Sequence, residues 1–62
     1  MQFKVGDIVV ATMDTNMIKL GQKCVVKGFN SIWMIVSPLT GDHKDIRIYA
    51  MANLFIKERG GE

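Results

Sequence analysis

Apolar residues in this chain come only in short runs, roughly Ile8 to Thr12, Lys23 to Phe29, Ile32 to Ser37, Asp45 to Tyr49 and Phe55 to Lys57. Each run is close to the usual strand length of about 5 or 6 residues, and turn residues separate them. Apolar positions at helical spacing are not sustained anywhere. Valine, isoleucine and aromatic residues fill the runs, as pleated packing favours. In "DIRIY", strict alternation points Ile46 and Ile48 inward and Asp45, Arg47 and Tyr49 outward. The chain is therefore expected to be all-β.

The punctuation between the runs refines that expectation. "GDIVV" at Gly6 is nearly repeated by "GQKCVV" at Gly21, a pattern that a phosphate loop, a duplicated hairpin or the start of a small barrel could produce. Neither "VGD" nor "LGQK" is followed by a helix whose amino-terminal dipole could hold a phosphate. A geometric origin remains, in which each glycine supplies a positive φ angle that turns the chain into a strand. Gly28 to Ser31 read as a tight corner, and "SPLTGDHKD" as a hairpin connection. Ala50, Met51, Ala52 and Asn53 are poor strand residues, so "YAMANL" suggests one turn of 3₁₀ helix before the last strand. Five short strands, a long first connection and a single helical turn before the fifth make the order of a small SH3-like β-barrel, spanning residues 1–57. Residues 58–62 read as a flexible polar tail.

The segments "FKVGDIVV", "LGQKCVV" and "NLFIKE" resemble the small SH3-like barrels common in bacteriophage and prophage genomes, over residues 3 to 57. The first strand and loop are also similar to a KOW element, the ribosomal and transcription-factor version of the barrel. The resemblance implies a small barrel carried by a phage or other mobile element. The acidic-tyrosine loop motif of eukaryotic SH3 domains is missing, so recognition of proline-rich peptides is not implied.

Size limits how such a domain can be stabilised. In 62 residues a single core rarely supplies more than about 3–5 kcal/mol of net stability. With one cysteine, Cys24, and one histidine, His43, neither an intramolecular disulfide nor a Cys/His zinc site can be built. Stability must come from packing or from another chain. The net charge of +2 permits a polyanionic partner without arguing for one. Lys4, Gly6 and Asp7 interrupt the apolar opening, which is unlike a signal peptide or a membrane span. A cytoplasmic location is expected, where a lone thiol stays reduced.

Few residues could carry chemistry. Cys24 alternates with Val26 inside a strand and reads as a buried core thiol, and His43 sits in the hairpin sequence "DHKD", which reads as a solvated turn. No catalytic residue, cofactor or metal is called for. Two binding surfaces compete. Met13, Met17, Ile18 and Leu20 crowd a loop that would ordinarily be polar, and Trp33-Met34 adds apolar bulk. Methionine suits adaptable contact surfaces and tryptophan suits hot spots. Met13, Met17, Ile18 and Trp33 are thus the expected contacts for a protein partner or for a second copy of the chain. The alternative is nucleic-acid binding, by Arg47 and Tyr49 on one outward face and by Lys23 and Lys27, with Val25, on another. The expected function is that of a non-catalytic interaction module.

Overall fold

A computed structural model describes residues 3–58 of the chain. Five antiparallel strands, β1 (Ile8–Ala11), β2 (Lys23–Asn30), β3 (Trp33–Pro38), β4 (Ile48–Met51) and β5 (Phe55–Lys57), form one sheet in the order β4-β3-β2-β1-β5. A 3₁₀ turn at Ala52–Leu54 joins β4 to β5. The all-β expectation and the helical turn are both met. The order is that of an SH3-like barrel, with β4 and β5 as the two edges, unpaired with each other, so the sheet stays open there.

Alternation builds the core. Val9 and Ala11 of β1, Cys24 and Val26 of β2, Met34 and Val36 of β3, Ala50 of β4 and Phe55 of β5 meet in one buried cluster. The registers make this possible, because directly opposed residues in antiparallel strands share a face. Val9 lies opposite Cys24, Val26 opposite Val36, Met34 opposite Ala50 and Ala11 opposite Phe55.

The near repeat of Gly6 and Gly21 is geometric. Their φ angles are +97° and +85°, and a Cβ at either would meet nothing within 4 Å. Backbone conformation, rather than crowding, is what asks for glycine at these positions. Gly6 N–H donates to the Val26 carbonyl and Gly21 N–H to the Ala11 carbonyl, each at 2.8 Å, locking the chain at the entrance to a strand.

Three local expectations are corrected. Gly28 lies inside β2, where the register against β3 shifts between Val26 and Gly28, and the corner is the pair Ser31-Ile32. Gly28 has no positive φ there, and a Cβ would come no closer than 4.0 Å to Ile35, so neither backbone conformation nor crowding asks for glycine. A glycine inside an apolar run reads from sequence as either a corner or a bulge. The strand expected from Asp45 begins at Ile48 instead. Asp45 has φ of +67°, a left-handed conformation that a strand cannot contain and that aspartate tolerates. Its N–H donates to the Pro38 carbonyl and that of Ile46 to the His43 carbonyl, so this stretch belongs to the connection. Ile46, expected inside, is 45% exposed. Of the tail expected over 58–62, Glu58 is tied to the sheet: its N–H donates to the Ile8 carbonyl and its carboxylate pairs with Lys23. The remaining tail residues lie outside the described ones. No helix among the described residues is long and apolar enough to cross a membrane.

Candidate protein-contact groove

The long first connection closes on itself through Thr15. Its N–H and its hydroxyl both donate to the Ile18 carbonyl, at 2.7 and 3.1 Å, and Ile18 N–H donates back to the Thr15 hydroxyl at 3.1 Å. Asp14 accepts from Leu20 N–H at 2.6 Å, and Thr12 N–H donates to the Leu54 carbonyl at 2.8 Å, tying the loop to the 3₁₀ turn. This knot turns Ile18 inward, where it is 1% exposed and joins the core cluster. Its neighbours Met13 and Met17 remain on the surface. Ile18 is therefore not part of an exposed contact surface; it caps the core from the loop.

Beside Ile18 the cap leaves a cleft of about 160 Å³. Ile18, Ala50 and Phe55 supply buried lining, and Met13, Trp33, Tyr49 and Met51 are exposed around it. Trp33 is 41% and Tyr49 54% exposed. Strand pairing explains their grouping: Trp33 lies opposite Met51 and Ile35 opposite Tyr49, so all four share the outer face of β3 and β4. None of the cleft's lining residues is charged, and the hydroxyl of Thr15, one of them, is already engaged by Ile18. The volume lies below the roughly 300–1,000 Å³ of small-molecule and cofactor pockets, and suits one or two inserted side chains.

Of the four residues expected to contact protein, Met13 and Trp33 flank the cleft, Ile18 lines it from the core, and Met17 is exposed on the loop but outside it. Sequence reasoning missed Met51 and Leu54, both of which line the cleft. The alternation Tyr49-x-Met51 was a usable signal for Met51, masked by its position in a segment that reads as the start of a helical turn.

The residues expected to bind nucleic acid are scattered. Lys23 pairs with Glu58 beside β1, and Lys27 sits on β2 where the register shifts. Arg47 precedes β4 rather than alternating with Tyr49 inside it, and β3 separates β4 from β2. Tyr49 itself belongs to the cleft. The lone thiol has no reactive setting: Cys24 is fully buried, and desolvation pushes its pKa from 9.0 up to about 11.

The chain matches no protein-family model, and no curated protein or solved structure shows significant similarity to it.

Proposed function

We propose that the protein is a non-catalytic interaction module that binds a polypeptide partner through the groove between the first loop and β4. The observation that carries this reading is the uncharged cleft ringed by four large exposed side chains, Met13, Trp33, Tyr49 and Met51, contributed by three separate stretches of the chain. Exposed apolar surface costs solubility and is usually kept where something covers it. Tryptophan, tyrosine and methionine are among the residues enriched where proteins meet, and the cleft's size fits a partner's side chain. The sequence resemblance supports a role as an accessory protein of a phage or mobile element, and the lone thiol and the interrupted apolar opening support a cytoplasmic setting.

The test compares wild type with Trp33→Ala. Partners captured by the wild-type protein should be lost by Trp33→Ala and kept by Lys27→Ala, with all three melting alike. A partner retained equally by Trp33→Ala would remove the groove from the interface. Nucleic-acid binding is the competing outcome, and would show as binding to mixed single-stranded oligonucleotides that falls steeply with added salt.

A further inference from the structure

The two sheet edges are not alike. On the β5 edge the strand is only three residues long and carries Lys57, which pairs with Asp7 at 3.7 Å. Short length and charge are common ways of preventing an edge from recruiting another strand. The other edge, β4, reads Ile-Tyr-Ala-Met, with no charge, no proline and a regular register against β3. In an antiparallel ladder alternate residues direct their N–H and C=O groups away from the paired neighbour. Among the described residues, no backbone hydrogen bond outside the strand ladders involves Ile48–Met51, and β4 pairs with β3 alone. All of β4 also lines the uncharged cleft. An edge with open hydrogen-bonding groups beside an apolar groove calls for an occupant that is itself an extended strand.

We propose that this occupant is a second copy of the chain, pairing β4 against β4 about a two-fold axis. The inference rests on the contact-surface reading and names its partner. Charge permits the copy. A two-fold contact sets each patch against itself, so a charged patch would meet its own sign, whereas this one meets no charge at all. Register supports the same choice. Opposed residues must share a face, so Tyr49 can sit opposite the partner's Tyr49 or the partner's Met51, and both keep the outer apolar face continuous. In neither arrangement does Arg47 face its own copy. A four-residue edge with its surrounding side chains covers less than the roughly 1,600 Å² of a standard interface. The dimer is accordingly weak and depends on concentration.

Sedimentation equilibrium from about 10 µM to about 1 mM spans the affinities expected of so small a contact. The mass should climb from 7.0 kDa toward twice that value. Tyr49→Lys and Tyr49→Glu each place like charges opposite or diagonal to one another, and each should stay monomeric. Mixing the two in equal amounts should restore the dimer. Wild-type mass that remains 7.0 kDa throughout overturns the proposal, as does undiminished dimerisation of both charged variants or a mixture that stays monomeric. Should either variant fail to fold, hydrogen exchange on the wild type decides. Protection of β4 amides should rise at least tenfold with concentration, and unchanged protection refutes the pairing. A monomeric wild type that still holds another protein through Trp33 would sink the self-pairing alone and leave the groove reading standing. Loss of both would sink the groove as well.

Discussion

Replacing Ile18 by alanine should nearly unfold the protein, while Met17→Asp one position away should leave its stability almost untouched. The contrast follows from the Thr15 knot, which turns Ile18 into the core and leaves Met17 43% exposed. Full burial of an isoleucine side chain is worth about 1.5–3 kcal/mol, and the unfilled cavity raises the cost of truncation to about 2–5 kcal/mol. So small a core supplies only about 3–5 kcal/mol in all. The alanine variant thus loses roughly two-fifths of its margin at the least and all of it at the upper end. A charge at an exposed site changes stability by about 0.5 kcal/mol or less. Urea titration followed by circular dichroism measures both: the midpoint should collapse for Ile18→Ala and stay near wild type for Met17→Asp, with similar slopes. If Ile18→Ala unfolds like wild type while Met17→Asp is lost, the methionine caps the core and the assignment of the loop is wrong.

Three further outcomes follow from the same structure. Gly21→Ala should cost about 1 kcal/mol or somewhat more, because its φ of +85° is strained for any residue with a Cβ even though the space is open; an unchanged melting temperature would contradict it. Ser37 is fully buried and its hydroxyl has no hydrogen-bond partner among the described residues, so Ser37→Ala should be neutral or stabilising by about 1 kcal/mol in a thermal melt. Cys24 should resist thiol reagents at neutral pH until the protein unfolds. Its proton is held more tightly in the folded than in the unfolded state, so its contribution to stability is intact below pH 9.0 and lost as pH rises toward about 11. Wild type minus Cys24→Ala, compared by denaturant titration across that range, isolates the effect, and a flat difference would refute it.

How far the chain could be read depends on whether a signal is local. Val9, Cys24 and Val26 announce themselves by alternation, and Gly6 and Gly21 by standing immediately before apolar runs, so β1, β2 and the entry turns were legible. The 3₁₀ turn was legible because Ala52 and Asn53 favour neither strand pairing nor a long helix. The start of β4 was not. "DIRIY" alternates perfectly, and only the left-handed backbone of Asp45, held by the Pro38 carbonyl, takes its first half out of the sheet. Gly28 was ambiguous because a glycine inside an apolar run marks either a bulge or a corner. In the first loop the excess of apolar residues was plain. Which of them turns inward is settled by the Thr15 hydroxyl and by packing in one cluster with Ala50 and Phe55 from the other half of the chain, which no local pattern shows. The groove is less legible still, since Trp33 and Met51 meet only through the β3–β4 register and Met13 joins them only after the loop folds across the sheet.

The central claim is that the protein meets its partner through apolar contacts at the groove, and the salt response of that association tests it most directly. Affinity should be measured for wild type, Trp33→Ala and Arg47→Ala at salt concentrations on either side of the physiological value, where screening lengths differ severalfold. The account predicts that Trp33→Ala weakens association by about 2 kcal/mol, roughly 30-fold, at both concentrations, and that Arg47→Ala leaves it nearly unchanged. An affinity that collapses with salt, depends on Arg47 and ignores Trp33 would contradict the account.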